Sequence, residues 1–252
     1  MRNHKVLLAA AFIFLFSASA QAQEKLQPND SERQLFDSLN HERTEQNLAP
    51  LKWDNSLFKA ARTHALLMLN LNKLEHQLPS EPALEERLAD AGARFAAIAE
   101  NIAIGANPQT IHNGWMNSPG HRRNIMNPQL TSVGIAAVRG PGGLFAVEDF
   151  SQFVPDLSAA EQEKKVATFL AASGIRVKES AVAARKTCEG DSAFADSGAK
   201  SMVRFETGDL NKLPEEIAQK IRSRQSVNAM VGACRGNSEK GFTRFRIAIL
   251  FF

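Results

Sequence analysis

Residues 114–125 read Gly114-Trp115-Met116-Asn117-Ser118-Pro119-Gly120-His121-Arg122-Arg123-Asn124-Ile125. Ser118-Pro119-Gly120 is a tight turn that sets His121 at the start of a helical turn. Upstream, Asn107-Pro108 is a helix cap followed by proline in the first turn, with Ile111 and Trp115 one turn apart. Downstream, Ser132 to Arg139 and Leu144 to Gln152 are β-rich runs joined by Gly140-Pro141-Gly142-Gly143, the pattern of a hairpin. Two further stretches carry comparable chemistry. Leu74-Glu75-His76-Gln77 brings a second imidazole, and Ala99-Glu100-Asn101-Ile102 lies in a short extended segment where Ile98, Glu100 and Ile102 share a face. A carboxylate between two isoleucines is partly desolvated and requires a donor partner.

The rest of the first half is helical. Ser31 is the expected cap of a helix with Glu32 in its first turn and Leu35, Phe36 and Leu39 on one stripe. Asp54 caps the next, where Leu57, Ala60, Ala61, His64, Ala65 and Met68 recur at core-facing intervals, so His64 is expected as a packed, hydrogen-bonded histidine. A short helix near Ala83 to Ala91 stops at Gly92. Beyond Pro155 the pattern restarts. Ser158 with Glu161 is a capping box opening a helix that ends at Gly174. Strands are expected at Val182 to Thr187, Met202 to Phe205 and Val227 to Ala233, with a helix from Pro214 to about Arg222. The alternating Phe245, Ile247, Ile249 and Phe251 predict a terminal half-buried strand. No repeat or catalytic motif marks this second region.

The three chemical stretches, with their surroundings, resemble the CAP superfamily of cysteine-rich secretory proteins, venom antigens and plant pathogenesis-related proteins, and its bacterial exported branch in particular. Asn40-x-x-Arg43, Leu51-x-Trp53, Ala61-x-x-His64-Ala65-x-x-Met68, Glu100-Asn101-Ile102, Trp115 to Ile125, Val133-Gly134-Ile135 and Glu148-Asp149-Phe150 carry the likeness over residues 31–153. The resemblance implies an α+β fold, an α-β-α sandwich with a central antiparallel sheet and a polar cleft. Many members hold two histidines and two glutamates there. Carried over by position, His76 and His121 are the histidines and Glu100 is one glutamate; Ser118 stands where the second glutamate falls. Ser118 and Trp115 are placed along the cleft, although Trp115 has the helical spacing of a core residue. Glu148 and Asp149 alternate on a strand, so one is expected in the cleft and the other in solvent. His112, Arg122 and Arg123 are expected on the solvated surface.

Composition limits the function classes. Among 252 residues, 44% are hydrophobic and 23% charged, which excludes a disordered or fibrous chain. The absence of Tyr removes a stacked-tyrosine binding face. Arg2, His4 and Lys5, an apolar run to Phe16 and small residues at 17–20 have the order of a secretory signal peptide over residues 1–22. Without it the charge is nearly balanced, so nucleic acid is not an expected partner. Export leads to a secreted, periplasmic or extracellular protein that is not integral to the membrane. In that compartment the two cysteines, Cys188 and Cys234, are expected to pair. They close a small α+β extension over residues 156–252.

The resulting expectation is an exported binding module whose cleft takes a small polar, lipid-like or cell-envelope ligand. Neutral imidazoles with a carboxylate are a donor set for a divalent ion such as zinc, which makes His76, His121 and Glu100 the metal candidates. The alternatives are a hydrolase or peptidase with His76, Glu100 and His121 as catalytic residues, and a structural envelope protein.

Overall fold

The computed structural model describes residues 27–79, 81–190, 194, 196–222, 228–236, 238–239 and 241–252. The expected leader at residues 1–22 lies outside them. The first part of the chain forms α1 (Asp30–Glu45), β1 (Lys52–Trp53), α2 (Asn55–Leu71), α3 (Leu84–Asp90), β2 (Phe95–Gly105), α4 (Pro108–Asn117), α5 (Pro119–Ile125), β3 (Ser132–Gly140) and β4 (Gly143–Phe153). β3, β4 and β2 pair antiparallel in that order, and β1 adds in parallel beside β3.

Strand periodicity sorts the side chains into two layers. Val133, Ile135 and Ala137 of β3 pack with Leu35 and Leu39 of α1 and with Ile111 and Trp115 of α4. Ala136, Phe145 and Val147 face the other way, onto Phe58, Ala61, Ala65 and Met68 of α2. The sheet is thus sandwiched between helices, as expected. α1 is capped by Asn29 rather than Ser31, because Glu32 at the third helical position returns to the Asn29 N–H at 2.7 Å and completes a capping box. Its other oxygen accepts the buried Ala137 N–H at 3.1 Å, fixing α1 to β3.

The second part forms α6 (Ala159–Ala172), β5 (Arg176–Val177), α7 (Val182–Glu189), β6 (Ser201–Thr207), α8 (Glu215–Arg222), β7 (Asn228–Cys234), β8 (Ser238–Glu239), β9 (Phe242–Thr243) and β10 (Phe245–Phe251). A second sheet runs β5-β7-β10-β6. The strand expected at Val182 to Thr187 is the helix α7. Ala183, Ala184, Arg185 and Lys186 favour helix, and Ala184, Thr187 and Cys188 share its buried face at helical spacing. Cys188 is joined to Cys234 of β7 by the expected disulfide. α7 covers one face of this sheet, with Ala184 against Gly232. Val166 and Leu170 of α6 and Ile217 and Ile221 of α8 join the core on the other face. β10 is consequently buried on both faces rather than half-buried.

The two sheets are stitched together. The β8–β9 hairpin extends the first sheet at the start of β2, where Phe95 pairs with Phe242. Their rings meet edge to face at 4.9 Å. Val154, just past β4, lies in the core of the second sheet.

Candidate functional site

From Ala97 to Gly105, β2 pairs only with β4, so its other edge is free of strand partners among the described residues. The candidate residues gather along this edge in two polar layers, one on each face of the sheet.

On the α2 side, Glu100 sits opposite Asp149 in the β2–β4 register. Glu100 is 8% exposed and has the donors that its apolar flanks demanded. Arg87 Nη2 donates to Oε2 at 2.9 Å and the imidazole of His76 donates through Nδ1 to Oε1 at 2.8 Å. Arg87 also reaches the His76 carbonyl at 3.2 Å, so one guanidinium steadies both ends of the pair. Burial acts to raise the Glu100 pKa. The His76 hydrogen bond, the Arg87 charge and nearby His64 outweigh it and hold the carboxyl below its usual range. The His76 pKa is raised, chiefly by the hydrogen bond to Glu100 and against the opposing effect of burial. His76 itself is 58% exposed at the side chain; with Nδ1 tied inward, Nε2 is the ring nitrogen available to a ligand.

Behind this pair, His64 is fully buried, as expected of a core histidine, with Nδ1 2.9 Å from the Glu81 carboxylate and Nε2 3.9 Å from Glu100. Asp149 is fully buried beside Glu100. Desolvation, reinforced by the Glu100 charge, pushes its pKa well up, so this acid is kept neutral.

On the opposite face Asn101 joins three elements. Its amide nitrogen donates to Glu148 at 3.0 Å and to the His121 carbonyl at 3.3 Å, and its oxygen accepts from Asn124 at 2.9 Å. Asn124 also donates to the Glu100 carbonyl at 3.2 Å. These bonds clamp α5, and with it His121, to the β2 edge. The His121 pKa is lowered, mainly by burial and further by the neighbouring charge of His76. Glu148 is fully buried, and desolvation pushes it up to about 8 against the hydrogen bond from Asn101. Both Glu148 and Asp149 are therefore interior, which corrects the expectation that one would face solvent. The two faces of β4 are each covered by helices, so alternation leads from one core to the other.

Trp115 is another correction: it is 1% exposed, and its Nε1 donates to the Ile102 carbonyl at 3.2 Å, making it a core anchor of α4 rather than part of a cleft wall. Ser118 is half-buried at the cap of α5 and makes no side-chain capping bond. His112 is buried against Glu42, against the surface expectation, whereas Arg122 and Arg123 are exposed. The sequence reading did not single out Arg87 or Glu81. The signal for Arg87 was the donor that Glu100 required, without any indication of which segment supplied it.

This donor set does not fit a divalent ion bound by three protein ligands. Both Glu100 oxygens are occupied by Arg87 and His76, Ser118 replaces the second glutamate, and no group of three His, Cys, Asp or Glu among the described residues is arranged to hold an ion. Glu100 acts as the group that orients His76, and His121 is a second, partly buried imidazole near it.

The model of the cysteine-rich secretory protein family, CAP, matches residues 36–150. Over 108 residues the chain is 36% identical to the uncharacterized Bacillus subtilis protein YkwD, covering 42% of this chain and 42% of that protein. Over 140 residues it is 30% identical to the uncharacterized Bacillus subtilis membrane protein YlbC, covering 55% of this chain and 40% of that one. The chain thus spans less than half the length of these curated relatives. A solved extracellular protein of Bacillus anthracis containing an SCP domain shares 32% identity over 48% of this chain and 40% of its own, with a TM-score of 0.46.

Proposed function

Residues 36–150 are a domain of the cysteine-rich secretory protein family, CAP, and from that premise we propose that the chain is an exported binding module whose small polar or lipid-like ligand docks at the free edge of β2. The observation that carries this reading is the half-exposed imidazole of His76, fixed from behind by a buried Glu100–Arg87 pair. A ring so held presents Nε2 in one direction, which lowers the ordering cost of gripping a polar group. His121, clamped from the other face through Asn101 and Asn124, supplies a second imidazole of opposite pKa tendency. Near neutral pH the pair offers one ring inclined to donate and one inclined to accept. The extracellular setting agrees with the family and with the leader-like residues 1–22. Among the described residues no helix is long and apolar enough to cross a membrane.

Binding is favoured over hydrolysis because the position of the second acid is taken by Ser118, which has no hydrogen-bonded base among the described residues. A specific observation still supports hydrolysis as the second reading: an imidazole backed by a carboxylate is the arrangement of a general base.

The test is calorimetric titration of the chain lacking residues 1–22 with soluble peptidoglycan fragments, with phosphatidylcholine vesicles and with Zn²⁺, alongside assays of peptide and cell-wall cleavage. Saturable heat from fragments or vesicles, lost in His76→Ala and kept in Arg123→Ala, is the expected result. Turnover abolished by His121→Ala but not by Arg123→Ala would replace the module with an enzyme. Zn²⁺ heat lost in both histidine variants would restore the metal. Silence with every probe would sink the reading.

A further inference from the structure

The second region offers no ligand motif in sequence, yet folding gathers cationic residues from distant segments around one hollow. A cavity of about 640 Å³ is lined by Arg94 just before β2, Arg185 of α7, Arg235 just after β7 and Arg244 between β9 and β10. Its acidic lining residues are Asp156 and Glu189. Two of the arginines are already engaged: Arg94 lies 3.3 Å from Asp156, and Arg185 grips Glu163 with two bonds of 2.6 and 2.7 Å. Arg235 and Arg244 are exposed and have no acidic partner among the described residues.

Their proximity is built into the backbone. Beyond the β7–β10 register pair Cys234 and Arg246, Gly236 comes so close to the Arg244 carbonyl that a Cβ there would lie 1.7 Å from it. Only glycine permits this approach, which brings Arg235 and Arg244 to one rim. Two residues that line the hollow, Arg94 and Gln162, each also carry a buried polar atom without a hydrogen-bond partner among the described residues, Nε and Oε1. The first is a donor suited to an anion. The second is an acceptor suited to a hydroxyl.

We propose that this cavity is a binding site for a small hydroxylated phosphate ester, of the glycerol- or sugar-phosphate class, separate from the β2 edge that bears His76. The phosphate meets the Arg235 and Arg244 guanidinium groups, whose planar forks match its oxygens. The hydroxylated part lies toward Gln162. The predominantly polar and charged lining suits a headgroup-sized solute rather than an acyl chain.

The experiment uses the chain lacking residues 1–22, with sn-glycerol 3-phosphate, glycerol and phosphatidylglycerol vesicles as probes. Saturable calorimetric binding of glycerol 3-phosphate but not of glycerol is expected. Losing a charge-assisted bond from each guanidinium should weaken it about tenfold or more in Arg235→Ala/Arg244→Ala. The double Lys variant should bind at an intermediate level, because charge persists while the fork is lost. Arg122→Ala/Arg123→Ala should bind as the parent does. Vesicle binding that depends on Arg235 and Arg244, without binding of the free ester, also supports the site and assigns its ligand to a lipid headgroup. Absence of saturable binding to either phosphate probe, or equal weakening in the Arg122/Arg123 control, would overturn the proposal. Both target arginines are exposed, and a far-UV spectrum matching the parent confirms folding of each variant. Because these variants leave His76 and Glu100 untouched, this outcome is independent of the β2-edge reading.

Discussion

Three buried acids on neighbouring strands meet two opposite electrostatic situations. Glu100 is kept ionised by Arg87 and His76, whereas Asp149 and Glu148 have no cation in hydrogen-bond contact among the described residues and are driven neutral by desolvation. Their linkage to pH differs in sign. The His76 pKa lies above the ordinary 6.5, so its pairing contributes stability that is complete below that value and is lost as pH rises through the folded-state pKa. Glu100, held low, contributes above 4.5 and loses its contribution as pH falls through its own folded-state value. Glu148, raised from 4.5 to about 8, binds more protons folded than unfolded between those values, so stability falls as pH rises across that window. Glu148→Gln is therefore expected to remove about 3 kcal/mol of the stability decline between pH 5 and 7. Urea titrations at both pH values check this; an unchanged decline in the variant would contradict a neutral Glu148. The sequence made the need for a partner at Glu100 legible, since Ile98 and Ile102 flank it. It left Glu148 misassigned, because strand alternation distinguishes two faces without saying what covers each.

At the scale of elements, the site depends on how closely helices approach strands. A Cβ on Gly134 of β3 would lie 2.0 Å from the Phe58 backbone nitrogen and 2.3 Å from the Leu57 carbonyl carbon, so α2 rests directly on the strand backbone. Gly134→Ala must push α2 away and is expected to destabilise the protein by about 2–3 kcal/mol, the range of core overpacking. Gly114, on the exposed side of α4, has nothing within 4 Å of such a Cβ. Gly114→Ala is instead expected to stabilise by about 0.5–1 kcal/mol through backbone entropy. Thermal denaturation of the two variants should move in opposite directions. Most elements of the first region were legible because caps and periodicity agree, as at Asp54, Asn107 and the Gly140–Gly143 turn. α7 was not legible: Val182 and Thr187 suggested a strand, and the helical spacing of its buried face becomes decisive only against β7 and β10.

For the molecule as a whole, the disulfide between Cys188 and Cys234 ties α7 to β7 inside the second sheet. Both tryptophans, Trp53 and Trp115, lie in the first region, so their fluorescence reports on that region alone. Reduction is expected to lower the stability of the second region by on the order of 4 kcal/mol in the chain-entropy view. Urea unfolding should then show an early far-UV transition followed by a later tryptophan transition. Coincident transitions would show that the Phe95–Phe242 stitch makes the chain one cooperative unit. The sequence by itself determined most helices and strands of residues 31–153, through caps and periodicity, and the pairing of Cys188 with Cys234, through export; its resemblance to the CAP superfamily implied the sandwich and the meeting of His76 with Glu100. Tertiary structure alone decided that Arg87 is the counter-charge, that Glu148 and Asp149 are interior, and that Arg94, Arg185, Arg235 and Arg244 share one cavity. Those outcomes depend on contacts between segments remote in the chain, and burial and electrostatic pairing are properties of such contacts.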